Sequence, residues 1–446
     1  MNKYKPYLIF RPMKSFLFTK LQCVGMSVLI FGAGGHVMAQ HQLQLPDSIP
    51  LMITDSLMLK DVLQIGYAKS DFLTVAGSVG LVSEERMNKG LVSNPLNALS
   101  GQVAGVSVLP GREAILNSVR VRGTTSLTGG NDPLVIIDDV FADLGTLSMI
   151  YPADIESFTI LKDASETAQY GARGASGVIK VSTKQGSSGS FRFSYDGNYG
   201  VQAIYKTLDM LSGDAFRQVA RERGISILDK GHQTDFTDEI TRMGWIQNHH
   251  IAFGGGSESA YYRASLGLLD QEDVLRTSDY RNYMAKIDIT QHAFQRRLRF
   301  DVGVMESVSK NQNPVDLQKT FYSAAAFNPT FPNHKNKEGG WDQVTTASWI
   351  TNPLAWIETD DEEANAYFNA HIKAEWAITP YLKLQAFGSY LYNVIDRGQY
   401  LPTTVWAHGQ AYRAERKVED YVGNILLNYN RAFNAHKVDL VGLAEV

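Results

Sequence analysis

The chain changes texture once, near residue 186, and that change limits its fold more than any single motif. Residues 94–186 mix short apolar runs, glycines and polar turns on the scale of a compact α/β unit. Beyond the linker QGSSGS at 185–190 the pattern becomes period two, with Phe191, Phe193 and Tyr195 alternating with Arg192, Ser194 and Asp196. Alternation of this kind describes a strand whose two faces meet different surroundings. It recurs over residues 283–289, 298–304, 368–376, 382–388 and 421–429. The segments reach about ten residues, the length a tilted strand needs to cross hydrocarbon. Short turns such as Thr379-Pro380 alternate with long connections such as 307–365, as in barrels with short inner turns and long outer loops. The pattern predicts an α/β plug domain ahead of a transmembrane antiparallel β-barrel. A soluble sandwich or propeller is the competing reading of the periodicity alone, and no fixed-period repeat favours a propeller.

Composition narrows the partners. Basic residues number 42 and acidic ones 46, a net charge of -4, which excludes nucleic acid as the main partner because phosphate binding needs a basic surface. Residues 1–39 read as a signal peptide: Lys3, Lys5, Arg11, Lys14 and Lys20 precede an apolar core at 24–31, and Val37-Met38-Ala39 offers a small-residue cleavage site before Gln40. A second start at Met13 would give a leader of more usual length. The apolar core is too short and glycine-broken to span ~30 Å of hydrocarbon. The single cysteine, Cys23, falls in that leader, so a processed chain would hold no disulfide. No other run offers ~18 apolar residues, so contact with a membrane must come from strands.

Residues 40–69 form a short leader, with an extended segment at 59–67, and 70–186 form the plug. Within the plug, Pro95 marks a helix start, with Leu96, Leu99 and Val103 at helical spacing and Gly105 closing it. Strands are expected at 77–82, 106–108, 119–122, 134–137, 155–161 and 178–183. Asp163 is placed to cap a helix over 164–170 that Gly171 ends. Residues 187–446 carry the barrel strands, about nine in number, with a tight hairpin at Gly254-Gly255-Gly256-Ser257.

Several motifs sharpen this reading. Residues 59–67 run LKDVLQIGY, residues 119–124 VRVRGT and residues 131–140 NDPLVIIDDV. Asp154-Ile155-Glu156, Leu161-Lys162-Asp163-Ala164-Ser165 and the run YGARGASG at 170–177 follow. Together they closely resemble the plug region of the SusC/RagA family of TonB-linked outer-membrane transporters. The resemblance implies that Leu59, Asp61, Val62, Ile65, Gly66 and Tyr67 form a TonB box, an extended segment lending its backbone to the edge of a partner's sheet. Lys60, Leu63 and Gln64 depart from the usual box, and Asp139 stands where the family usually carries glycine. The matched plug residues are Arg120, Arg122, Gly123, Asp132, Pro133, Asp138, Asp154, Glu156, Lys162, Asp163, Gly171, Arg173, Gly174 and Gly177. Arg120 and Arg122 share a strand face, from which guanidinium forks could pair with carboxylates of the barrel wall. Arg173 is expected to reach an acidic partner. The three glycines superficially suggest a phosphate loop, but they follow a helix and precede a strand, the reverse of a nucleotide fingerprint; close backbone packing is the better reading.

The resemblance further implies TonB-driven, plug-gated import of a glycan or peptide across the outer membrane of a Bacteroidetes-like Gram-negative bacterium, with TonB, a SusD-like surface lipoprotein, the oligomeric substrate and outer-membrane lipid as partners. The family's barrel of about 22 strands exceeds the nine expected here, so the sequence reads as the N-terminal part of a longer transporter, a fragment or a truncated product. A siderophore or cobalamin receptor, or a non-transporting adhesion barrel, stays open as an alternative. No HExxH, GxSxG, Walker or EF-hand pattern occurs, so neither an enzyme, a cofactor nor a metal site is expected. His249 and His250 are adjacent and face opposite sides of a strand. The acidic run at 360–363 reads as solvated loop surface, and Trp341, Trp349, Trp356 and Trp406 lie in or near long loops, where they could stack on sugars or simply pack.

Overall fold

The computed structural model describes residues 62–65, 68–71, 77–88, 92, 94–109, 118–344, 350–405, 408–433 and 436–446. Two short strands come first, β1 (Val62–Ile65) and β2 (Ala68–Asp71), paired antiparallel.

The plug follows. Its strands are β3 (Val79–Ser83), β4 (Val106–Leu109), β5 (Ser118–Val121), β6 (Leu134–Ile137), β7 (Val140–Ala142), β8 (Ile155–Leu161) and β9 (Val178–Thr183). Five form one sheet in the order β3-β8-β9-β6-β7, with β4 and β5 as a separate ribbon. Only β6 and β9 run parallel. Apolar runs such as Leu134–Ile137 sit in this sheet because both its faces are covered, and a strand with no wet side has no reason to alternate. Val135, Ile137, Phe158, Ile160 and Ile179 are buried in one continuous core.

Helices in the plug are shorter than the sequence predicts. The one begun by Pro95 is a single turn, Pro95–Ala98, capped by Asn94 Oδ1 accepting from Leu96 N at 2.9 Å. It stops early because Gly101 and Gly105 are both left-handed, φ +75° and +79°. The segment after Asp163 is α-helical only over Ala164–Thr167, and a 3-10 stretch continues to Gly174 with a break at Gly171, φ +58°.

Nine strands then form a single antiparallel sheet in chain order, a partial barrel wall: β10 (Gly189–Gln202), β11 (Gly244–Gly256), β12 (Ala260–Glu272), β13 (Asp279–Ala293), β14 (Leu298–Asn313), β15 (Asp360–Thr379), β16 (Leu382–Leu401), β17 (Gln410–Phe433) and β18 (His436–Glu445). At one end the connections are short, as at 257–259 and 294–297; at the other they are long, as at 203–243 and 314–359. The period-two pattern becomes two faces. On β13, Asn282, Met284, Lys286, Asp288 and Thr290 point inward and are buried, while Tyr283 and Ile287 remain 54% and 39% exposed on the outer face.

Two expectations shift, and a third is sharpened. The strand continues through Gly254-Gly255-Gly256, so the tight turn falls at 257–259. The acidic run at 360–363 is the start of β15 rather than loop, and Asp361 is buried, receiving Arg397 Nε and Nη2 at 2.8 and 2.5 Å and Gln399 Nε2 at 2.8 Å. The long outer connections are packed structure. Phe236, Ile240, Phe327, Phe331 and Leu354 form a core of their own, which Trp341 joins, and Trp356 is buried nearby. These two tryptophans therefore pack the loops; Trp349 and Trp406 lie outside the described residues.

Candidate functional site: the seam between plug and wall

The functional question for a plug is what holds it in its barrel. Among the described residues three groups of contacts form the seam, each made by plug side chains or backbone meeting inward-facing wall residues.

The first centres on Asp154, which ends the 3-10 turn Pro152–Asp154 just ahead of β8 and is 0% exposed. Its Oδ1 lies 2.6 Å from Arg263 Nη1 on β12, and its Oδ2 lies 3.0 Å from His250 Nε2 on β11. Ser265 Oγ donates to Oδ2 at 2.9 Å. Burial alone would raise this carboxyl's pKa, but His250 and Arg263 more than offset it and hold it at about 2. Asp154 therefore remains a carboxylate, with its charge met across the seam. Tyr151 lies flat on the His250 ring, centroids 4.7 Å apart and planes 11° from parallel. Gly267 leaves room for that stack, since a Cβ there would come within 3.2 Å of the Tyr151 ring.

The second contact uses plug backbone. Asn282 Nδ2 on β13 donates to the carbonyl of Met149 at 2.8 Å, and Met284 Sδ accepts from Tyr151 N at 3.4 Å. Met284, Met305, Tyr367, Phe387 and Leu391 of the wall extend the plug's apolar core outward.

The third lies at the β6–β7 turn. Asp138 binds its own plug, accepting from Thr183 N at 2.9 Å and Thr183 Oγ1 at 2.5 Å. Lys286 Nζ of β13 is 3.7 Å away and pairs with Asp288 beside it. Asp139 lies 3.5 Å from Lys180 of β9 and 2.9 Å from Lys373 of β15. Burial opposes its charge, yet the two lysines hold its pKa at about 2.

The plug motifs found in the sequence divide between seam and interior. Asp154 and Asp138 face the wall. Arg120 and Arg122 meet no wall residue among those described, contrary to the expected pairing. The strand ends at Val121, and Arg122 is left-handed at φ +58°, so the two side chains leave in different directions. Arg120 pairs with Asp132 at 2.6 Å and Arg122 with Asp163, both inside the plug. Asp163 makes no helix-cap bond; its carboxylate accepts from Ser78 N at 2.5 Å instead. Arg173 lies over the ring of Phe141 at 5.0 Å rather than on a carboxylate. Lys162 donates to the Ala104 carbonyl at 3.2 Å, Pro133 is buried, and Glu156 and Asp132 are exposed. The close-packing reading holds at Gly174 and Gly177, where a Cβ would fall 2.7 Å from Thr167 O and 2.9 Å from Val121 Cβ. Gly123 and Gly171 occupy left-handed turns, φ +92° and +58°, with open space where a Cβ would stand.

In the TonB-box-like segment, Val62 and Ile65 lie in β1, paired with Asp71 and Ala68. Leu59, Asp61, Gly66 and Tyr67 lie outside the described residues, as does the whole signal-peptide segment. His249 and His250 do face opposite sides: His249 Nδ1 meets Tyr195 Oη at 2.7 Å on the outer face. Among the described residues no group of His, Cys, Asp and Glu is arranged to hold a metal ion, and no helix is long and apolar enough to cross a membrane, which says nothing of strands.

The wall partners Arg263, His250, Lys286 and Lys373 escaped the sequence reading. The signal was available: each lies on the phase opposite to the exposed aromatics, so its charge had to point into the barrel.

An α/β plug fastened inside an antiparallel wall defines a TonB-dependent receptor. Comparison with known proteins agrees. Residues 71–178 match the TonB-dependent receptor plug domain family. The chain is 32% identical over 387 residues to the TonB-dependent receptor SusC of Bacteroides thetaiotaomicron, covering 76% of this chain and 38% of that protein. It is 28% identical over 436 residues to the TonB-dependent receptor P3 of Formosa agariphila, covering 93% of this chain and 43% of the relative. Its fold is similar to that of the solved structure of the RagAB peptide importer in the open-open state, with a TM-score of 0.70 over 86% of this chain and 48% of the other at 23% identity. The chain belongs with the TonB-dependent receptors of the SusC/RagA type. It spans less than half the length of the curated relatives it matches.

Proposed function

We propose that this chain forms the gated entrance of a TonB-driven importer for an oligomeric nutrient, a glycan or a peptide, in the bacterial outer membrane after signal-peptide removal. The observation that carries this reading is the seam. Asp154 is a fully buried carboxylate whose partners, Arg263, His250 and Ser265, all belong to the wall. Ion pairs and a hydrogen bond beside an apolar supplement hold a domain in one place yet can be broken and remade, whereas a purely aliphatic seam would behave as one core.

The leader supplies the handle. A pull on residues before β1 loads the β1–β2 pair first, and a two-stranded hairpin is weak on its own. Once β1 is free, its backbone can add to the edge of a TonB sheet, and the force passes on to the plug. A SusD-like surface lipoprotein would close the outer side, above the packed loops.

The test is deletion of residues 59–67 in the native outer membrane. Uptake of labelled oligosaccharides and oligopeptides should fall to the level of a strain lacking TonB, with the protein still assembled. Undiminished uptake, or no uptake of either class by the parent alongside uptake of a ferric siderophore, would overturn the reading.

A further inference from the structure

The β6–β7 hairpin closes on two residues, Asp138 and Asp139, because Ile137 pairs directly with Val140. Both are left-handed, φ +49° and +69°. A two-residue turn with both centres left-handed strongly favours glycine at the second position, where a side chain meets steric resistance. Asp tolerates this conformation better than most residues, but glycine would fit without strain. An aspartate is therefore held at a site whose backbone asks for glycine, and its carboxylate does two things there. It meets Lys180, a buried plug lysine, at 3.5 Å, and it crosses the seam to Lys373 at 2.9 Å. Asp138, in the less glycine-demanding position, accepts from Thr183 within the plug and lies 3.7 Å from Lys286 of the wall, a longer seam contact than that of Asp139.

We propose that Asp139 is a positioning residue that clasps the plug to the wall through Lys373, setting how readily the β6–β7 edge leaves β15. The clasp rests on the importer reading for its purpose but not for its test. Asp139→Gly relieves the turn but also takes this carboxylate from Lys180 within the plug, so the variant that tells a clasp from a role confined to the plug is Lys373→Met, which leaves the turn and the Lys180 pair in place. If Asp139 is a clasp, that change frees the hairpin from the wall.

Backbone amide exchange over residues 136–142 in the full-length, membrane-assembled protein separates the two. Asp139→Gly, Asp139→Asn and Lys373→Met should each speed exchange about tenfold, the scale of one charge-assisted contact. The pair Asp139→Asn with Lys373→Met should add little to either alone. The Asn variant keeps a turn-tolerant residue, so the result stands even if the Gly variant fails to assemble. Slower or unchanged exchange in Asp139→Gly or Asp139→Asn, no effect of Lys373→Met, or simple additivity would overturn the clasp. TonB-dependent uptake measured on the same strains separates the two ideas: a parent that imports nothing defeats the importer reading while the exchange result still decides the clasp.

Discussion

Inside the plug, Phe158, Ile160 and Ile179 fill the space between sheet and helical turns with branched and aromatic carbon. Where the same domain meets the wall, polar contacts join in, Asp154 with Arg263, the Met149 carbonyl with Asn282, and Asp139 with Lys373, beside an apolar fringe of Met284, Met305, Tyr367, Phe387 and Leu391 continuous with the plug core. The two regions lie a few residues apart in sequence; Ile155 follows Asp154 directly. The difference teaches how one short segment can belong to a rigid body and to a releasable joint together. Aliphatic packing is specific because it interdigitates, and losing it unfolds the domain. Ion pairs and methionine contacts are specific in direction but can be exchanged for water or for another arrangement.

That contrast can be broken by substitution. The largest effect is expected in the interior: Phe158→Ala should cost about 3–5 kcal/mol, seen as loss of plug protection from protease while the barrel resists heat in detergent. If the plug survived intact, interior and seam would not differ as described.

At the seam, Arg263→Met leaves the buried Asp154 carboxylate with only His250 and Ser265 beside it, and removing one partner of a buried pair costs about 3 kcal/mol. Here the plug should keep its own fold but unseat, so protease would cut between plug and wall rather than within the plug. Acidity sharpens the same comparison. Asp154 has its pKa lowered from the usual 3.8 to about 2, so its contribution is present above the higher value and is lost as pH falls toward the lower. The part of the seating that the Asp154 charge supplies should weaken only below about 4. In Arg263→Met, burial is less fully offset, and the loss should begin closer to neutrality. Equal pH profiles for the two proteins would assign the docking to other groups.

The smallest effect is expected on the plug's outer surface. Arg120→Ala removes a pair with the exposed Asp132, worth less than about 1 kcal/mol. Plug melting should barely move and seating should not change. A large unseating would restore the wall-facing role that the sequence suggested for this arginine.

Legibility followed the physics of each feature. The plug strands over 155–161 and 178–183 and the nine wall strands were readable because local alternation or a continuous apolar run specifies them. Helix lengths were not, since paired left-handed glycines and tertiary packing stop the Pro95 helix after one turn. Asp154 was visible as a motif but its role was not, because its partners come from β11 and β12, about a hundred residues later. Arg122 was misplaced because one left-handed residue ends the strand. The acidic run at 360–363 reads as solvated loop in the sequence because Arg397 and Gln399, which pair with Asp361, arrive from the next strand.

In the proposed importer, the strands after residue 188 present one face to lipid and the other to the plug. Single cysteines read this most directly at successive positions of β13, carrying a fluorophore in the membrane-embedded protein exposed to a lipid-soluble quencher. Labels at Tyr283, Ala285 and Ile287 should be quenched strongly, and those at Met284, Lys286 and Asp288 should be shielded. Uniform quenching along the strand, or the opposite phase, would contradict the account.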